Sequence, residues 1–86
     1  MERLARALLA LLGARGEGAS LCPSEVARAE EPRHWRAQMD AVREVARHLA
    51  RQGVVVVTQR GRRLDPDEPF KGPVRFSFPA AIQSRA

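Results

Sequence analysis

The sequence predicts a mainly α-helical domain of three helices that is closed by a C-terminal β-hairpin. Three observations support this fold class. Two segments carry apolar residues at helical spacing, four consecutive valines follow the second of them, and a short alternating segment lies near the end. Apolar residues every three or four positions are typical of an amphipathic helix, and β-branched or alternating runs are typical of strands. A length of 86 residues suits one domain and is short for two independent cores.

Helix 1 is predicted over about residues 2–12, and Gly13 is expected to end it in a left-handed conformation. Its apolar face is formed by Leu4, Leu8, Leu11 and Leu12. The same segment has some features of a signal peptide, but the stretch that follows is charged where a cleavage region should be small and neutral. We therefore expect a packed helix and a cytoplasmic protein.

Helices 2 and 3 are predicted over about residues 23–29 and 32–52. Pro23 suits the first helical position, because its missing N–H has no partner there, and Gly53 is expected to end helix 3. The connection of about three residues between them is typical of a helix-turn-helix. The apolar stripe of helix 3 consists of Trp35, Met39, Val42, Ala46 and Leu49.

Two strands are predicted after helix 3 and are expected to pair as a hairpin. The first is the β-branched run Val54–Thr58, and the second is the alternating segment Val74–Phe78. The side chains of the second strand that are expected to face the core are Val74, Phe76 and Phe78. The polar residues 61–73 between the strands then form a long hairpin tip.

The element order predicts a winged helix, which is a three-helix helix-turn-helix core with a β-hairpin as its wing. Pro79 is expected to end the second strand. The predicted organisation is therefore one domain over residues 1–79, followed by a C-terminal tail over residues 80–86.

Several short strings carry a resemblance to a known family. They are Cys22–Arg28, Trp35-Arg36, Val42-Arg43, Thr58-Gln59 and Gly72–Arg75. Together they resemble the bacterial domain-of-unknown-function family 3253, over about residues 4–78. The resemblance implies a winged-helix-like fold, and it supplies no activity.

The charge of the chain favours an anionic partner. Of its 15 basic residues 14 are arginine, and the formal net charge is +5. A basic balance of this size favours nucleic acid as the partner. A GC-rich genome accounts for the same preference for arginine over lysine, so the choice of basic residue does not decide the matter.

Two groups of arginines are candidates for binding double-stranded DNA. The first group lies on helix 3, in a sector about 80° wide beside the apolar stripe. In helix-turn-helix proteins the exposed face of this helix meets phosphates and base edges in the major groove. The second group lies at the predicted wing, which is placed to reach the adjacent backbone or minor groove. The candidate residues are Arg33, Arg36, Arg43, Arg47, Arg60, Arg62 and Arg63, and Arg51 shares the helix sector.

Acidic residues near these arginines favour an alternative, a protein-interaction module on the same scaffold that binds no nucleic acid. Asp40 interrupts the helix sector and is placed to pair with Arg36 and Arg43, and Glu44 reaches Arg47 one turn on. Three further acids, Asp65, Asp67 and Glu68, leave the wing close to neutral. The arginines would then meet an acidic protein partner. A homodimer fits either reading, since many helix-turn-helix proteins bind paired half-sites.

No residue set predicts catalysis, a cofactor, a metal site or a membrane span. The single cysteine, Cys22, excludes a disulfide framework and a multi-cysteine zinc site. His34 and His48 lie about 21 Å apart along one predicted helix, too far to share a metal. No acid, base and nucleophile combination is visible, so we expect no enzyme. No apolar run approaches the roughly 20 residues that a bilayer requires.

Overall fold

The computed structural model describes residues 2–79, which form three α-helices, one 3₁₀ helix and a four-stranded antiparallel sheet. The elements are α1 (Glu2–Arg15), β1 (Ser20–Leu21), α2 (Pro23–Glu30), the 3₁₀ helix (Trp35–Gln38), α3 (Met39–Arg51), β2 (Val56–Gln59), β3 (Arg62–Arg63) and β4 (Arg75–Ser77). This architecture confirms the predicted fold class and is consistent with a winged-helix-like fold. The predicted tail, residues 80–86, lies outside the described residues.

The sheet has the strand order β1-β4-β2-β3, so β4 lies between two partners. Phe76 of β4 pairs with Leu21 of β1 on one side and with Val57 of β2 on the other. The predicted hairpin between β2 and β4 is confirmed. The two-residue strands β1 and β3 are additions that the sequence did not predict, since two residues are too short to show a period.

The core lies between the three helices and one face of the sheet. Leu8, Leu12, Val26, Val42 and Phe76 are fully buried in it. The predicted stripe of helix 3 is confirmed at its buried positions, and Trp35 and Met39 pack against the core while partly exposed. Every helix therefore contributes apolar side chains to the same cluster as the hairpin.

Helix 1 does not end at Gly13, as the sequence predicted, but continues to Arg15. Gly16 is the residue in the left-handed region, with φ of +92°. Arg15 donates to the Ser20 carbonyl at 3.3 Å and forms an ion pair with Glu25. These contacts with the following loop and with α2 stabilise the extra turn, and they outweigh the modest cost of a glycine inside a helix.

Helix 3 begins later than predicted. Pro32, Arg33 and His34 form a turn, which is fixed by a 3.1 Å hydrogen bond from the His34 N–H to the Glu31 carbonyl. The chain then enters the 3₁₀ helix at Trp35 before α3 starts. Arg33 therefore lies in the turn between α2 and the 3₁₀ helix, whereas the predicted boundary placed it on the third helix.

Two predictions at the strand ends are wrong. Val54 does not belong to β2, because its N–H closes the C-terminus of α3 on the Leu49 carbonyl at 2.9 Å, with Gly53 left-handed at φ of +77°. Phe78 does not face the core and is 41% exposed. The β4 ladder ends at Ser77, so the alternation that buries Val74 and Phe76 stops before it.

Two glycine-to-alanine substitutions are expected to change stability in opposite directions. A Cβ atom at Gly13 or Gly61 meets no atom within 4 Å, so the backbone conformation alone decides the sign. Gly13→Ala lies inside α1 and should stabilise the protein by about 0.5–1 kcal/mol. Gly61→Ala, at φ of +79°, should destabilise it by about 1 kcal/mol. Urea denaturation of the two variants measures both effects, and shifts of the same sign would contradict the backbone assignment.

Candidate nucleic-acid interface

The arginines of α3 face the segment between β3 and β4, residues 64–74, which we call the wing connection. Arg43 donates from Nη2 to the Gly72 carbonyl at 3.0 Å, and Arg47 donates from Nε to the Pro66 carbonyl at 3.0 Å. Arg51 forms an ion pair with Asp67, with Nε and Oδ1 2.9 Å apart. The face of α3 that the sequence assigned to DNA is therefore bound by the wing connection.

Spacing along the helix explains this arrangement. Arg43, Arg47 and Arg51 are four residues apart, so they form one row along α3. The wing connection contacts this row at three places, with Gly72 nearest the start of the helix, Pro66 at its middle and Asp67 nearest its end. Arg47 is the most enclosed of the three, with 19% of its side chain exposed, and its Nη1 also pairs with Glu44 at 2.6 Å.

A second group of arginines surrounds Trp35 at the start of the third helical segment. The guanidinium carbons of Arg28 and Arg36 lie 4.2 and 4.3 Å from the centroid of the Trp35 ring. A guanidinium held against an aromatic face keeps its N–H donors at its edge, where they remain available to a phosphate. Arg33 is exposed in the preceding turn, and none of the ion pairs within residues 2–79 includes it. We call Arg28, Arg33 and Arg36 the turn arginines.

The hairpin of β2 and β3 presents a third group. Its two-residue turn has Arg60 at φ of +53° and Gly61 at φ of +79°, as a type I′ turn requires. Arg62 and Arg63 follow on the exposed strand β3. With Lys71 of the wing connection, the three arginines line an open cleft of about 590 Å³, which we call the wing cleft.

The wing cleft is more basic than the sequence of the wing indicated. Its lining includes four cations against two carboxylates, Asp65 and Glu68. The third acid, Asp67, is turned to Arg51 of α3 and does not line the cleft. Among the ion pairs within residues 2–79, none involves the cations of the cleft. The three acids that make the wing nearly neutral in the sequence therefore lie on two sides of the folded wing. Asp65 and Glu68 line the cleft, and Asp67 lies against α3.

The shape of the wing cleft is fixed by hydrogen bonds within the wing. Gln59 donates from Nε2 to the carbonyls of Lys71 and Pro73, at 2.5 and 3.0 Å. Asp65 accepts the Asp67 N–H at 2.8 Å, and the Asp65 carbonyl accepts the Glu68 N–H at 3.1 Å. Lys71 is therefore held opposite the β2–β3 hairpin before any ligand is present.

The structure brings together some of the candidate residues and separates others. Arg60, Arg62 and Arg63 share the wing cleft, whereas Arg43 and Arg47 bind the wing connection and Arg33 and Arg36 lie at the turn. Arg28, Gln59 and Lys71 were not predicted. Only their positions after folding reveal them, since no sequence period links them to the other basic residues.

The acidic partners proposed for the helix sector are only partly as expected. Glu44 pairs with Arg47, as predicted. On α2, Glu30 pairs with Arg3 of α1 at 2.8 Å, and Glu25 pairs with Arg15. The described ion pairs do not include Asp40. None of the turn arginines takes part in the ion pairs described for residues 2–79.

Within residues 2–79, no group of three or more His, Cys, Asp or Glu side chains is arranged to hold a metal ion. The helices of the same residues include none with the length and apolar character to cross a membrane.

Comparison with known proteins gives one family. A family model described as a protein of unknown function, DUF3253, matches residues 1–79. The match covers all the described elements and agrees with the strings between Cys22 and Arg75 that carried the resemblance. No curated protein matches the chain.

Proposed function

The chain belongs to the DUF3253 family, and we propose that it is a non-catalytic, cytoplasmic protein that binds double-stranded DNA. The observation that carries this proposal is the wing cleft, in which four cationic side chains line one open space. None of the four takes part in the ion pairs described for residues 2–79. Most protein–DNA hydrogen bonds go to phosphate and sugar, and arginine is well suited to bidentate phosphate contacts.

The turn arginines extend the same surface. Arg43 binds the Gly72 carbonyl, next to Lys71 of the wing cleft, and Arg36 lies seven residues before Arg43. The first three of these seven steps lie in the 3₁₀ helix and the rest in α3, so they span about 12 Å. A duplex carries one phosphate per 3.4 Å of each strand, so one short stretch of DNA can meet both groups of cations.

The aromatic residues favour a duplex over single-stranded nucleic acid. Proteins that bind single strands stack successive bases on exposed aromatic rings. Trp35 is engaged by two guanidinium groups, and Phe70 of the wing cleft packs against the core. These two groups of cations therefore offer charge without a free aromatic ring, and the exposed Phe78 does not line the wing cleft.

The covered face of α3 supports a second candidate, a protein-interaction module that binds an acidic partner. Arg43, Arg47 and Arg51 are held by the wing connection, so the helix that reads bases in other helix-turn-helix proteins offers little free arginine. The same cations of the wing cleft would then meet carboxylates. Pull-down from a native lysate distinguishes the two, because nuclease treatment removes partners that are held through DNA.

Fluorescence anisotropy with a labelled random duplex at about 50 and 200 mM salt tests the proposal. We expect binding at the lower salt that falls steeply at the higher salt, because bound phosphates release counterions. Arg62→Gln/Arg63→Gln should weaken binding about tenfold at the lower salt. It should also lower the slope of log affinity against log salt by about two, one unit for each lost contact.

The matched control is Arg3→Gln/Arg6→Gln, which removes two charges from α1. Arg3 and Arg6 are ion-paired with Glu30 and Glu2, away from the wing cleft. This variant should bind within about twofold of the wild type. Equal losses in the two variants would assign binding to net charge alone, and no binding at 50 mM salt would refute the proposal.

A further inference from the structure

We propose that Arg43, Arg47 and Arg51 are positioning residues that hold the wing connection on α3 and so form the wing cleft before DNA arrives. The effect on DNA binding rests on the proposed function, whereas the contacts from which we infer the positioning role lie within the protein. Each arginine donates to a different residue of the wing connection, at 2.9 to 3.0 Å. We call these three contacts the wing clasp.

The acceptors of the wing clasp are groups that the sheet leaves unpaired. Within the wing connection, Leu64 continues the ladder through its N–H to the Val57 carbonyl at 2.9 Å. The carbonyls of Pro66 and Gly72 are instead satisfied by the guanidinium groups of Arg47 and Arg43. Pro66 is half-buried, and a half-buried carbonyl without a donor costs free energy, so Arg47 stabilises the backbone there; Gly72 is exposed, and Arg43 replaces water at its carbonyl.

The low exposure of Arg47 favours a positioning role over direct contact with DNA. Only 19% of its side chain is exposed, and Nε and Nη1 are already occupied by Pro66 and Glu44. Two of its five N–H donors are thus engaged within the protein, and the low exposure of the side chain limits the access of a phosphate to the others. Arg62 and Arg63, in contrast, are exposed on β3.

The wing clasp also explains how a long connection can serve as a binding surface. Ordering a flexible segment during binding has an entropic cost for each residue, and a segment that is ordered beforehand avoids it. Lys71 lies beside Gly72, the residue that Arg43 holds, and it lines the wing cleft. Loss of the clasp should therefore weaken binding through residues that do not touch DNA.

Arg47→Lys and Arg62→Lys distinguish the two roles, because both variants keep the charge. Lysine still binds a phosphate as a point charge, although it loses the bidentate geometry, whereas the Nε donor to Pro66 is lost altogether with the guanidinium. In the free protein, Arg47→Lys should speed amide exchange in residues 64–73 about tenfold, as expected for one lost charge-assisted hydrogen bond. Exchange in α1 is the internal reference and should not change. DNA affinity should fall about fivefold for Arg47→Lys and less than twofold for Arg62→Lys.

Asp67→Asn and Glu17→Gln give a second, charge-matched pair that leaves α3 untouched. Both remove one acid, but only Asp67 contacts the clasp, and neither acid lines the wing cleft. Asp67→Asn should bind DNA more weakly than Glu17→Gln. Tighter binding by Asp67→Asn would show that a freed Arg51 contacts phosphate, which overturns the positioning role.

The exchange measurement separates failure of this inference from failure of the proposed function, since it needs no DNA. Unchanged exchange in Arg47→Lys refutes the wing clasp whether or not the protein binds DNA. Faster exchange with unchanged affinity refutes its role in positioning the wing cleft. Faster exchange in a protein that binds no duplex supports the wing clasp and refutes the proposed function.

Discussion

Replacing Phe76 by alanine is expected to destabilise the protein by about 3–5 kcal/mol. Phe76 is fully buried and lies in the central strand β4, between Leu21 and Val57. Its removal leaves a cavity where the sheet meets the helices. A chain of this length has a total stability of about 4–13 kcal/mol, so the variant loses about a quarter of it or more. Urea denaturation followed by circular dichroism measures the loss.

Phe78→Ala is the matched control, because it removes the same side chain two residues further along. Phe78 is 41% exposed and lies beyond the last paired residue of β4. We expect it to cost less than about 1 kcal/mol. Equal costs at the two positions would contradict the end of β4 at Ser77 and favour the simple alternation that the sequence predicted.

The elements with long apolar periods were predictable from the sequence. The stripe from Trp35 to Leu49 and the valine run before Thr58 each bury one continuous face, so their spacing carries the information. The exact ends were not predictable. Gly13 remains helical and Val54 leaves its strand because of hydrogen bonds to residues in neighbouring elements, which no local pattern reports.

The sequence predicted which arginines belong to the candidate site, but it did not predict how the folded wing arranges the charges around them. The sequence identified Arg60, Arg62 and Arg63 as exposed wing residues, and the structure places them around one cleft. It did not predict that Arg51 binds Asp67, 16 residues away, and that this contact removes an acid from the wing cleft. A sum of charges along the wing cannot show which side of the folded segment each charge occupies.

Glu25→Gln is expected to destabilise the protein at neutral pH and to have little effect in acid. The ion pair with Arg15, followed by the hydrogen bond from the Cys22 N–H, lowers the pKa of Glu25 from 4.5 to about 2. Glutamine still accepts the Cys22 N–H but loses the charge. Because Glu25 and Arg15 are 28% and 43% exposed, solvent screening reduces the expected loss to about 1–2 kcal/mol.

The pH dependence follows from the lowered pKa of Glu25. Between pH 4.5 and 2 the unfolded chain binds a proton at Glu25 while the folded chain keeps the carboxylate ionised. The stability that this group contributes is therefore complete above pH 4.5 and is lost as the pH falls towards 2. The gap in unfolding free energy between the wild type and Glu25→Gln should close over the same range.

Glu17→Gln tests whether this gap belongs to the ion pair or to the loss of any nearby acid. Glu17 is exposed in the loop before β1, and it is absent from the ion pairs described for residues 2–79. Its replacement should change stability by less than about 0.5 kcal/mol at neutral pH. If Glu25→Gln and the wild type lose stability in parallel down to pH 2, the contact between α1 and the start of α2 does not hold Glu25 ionised. The contact of Arg15 with the Ser20 carbonyl and the hydrogen bond from the Gly16 N–H to the Leu12 carbonyl would then hold the last turn of α1.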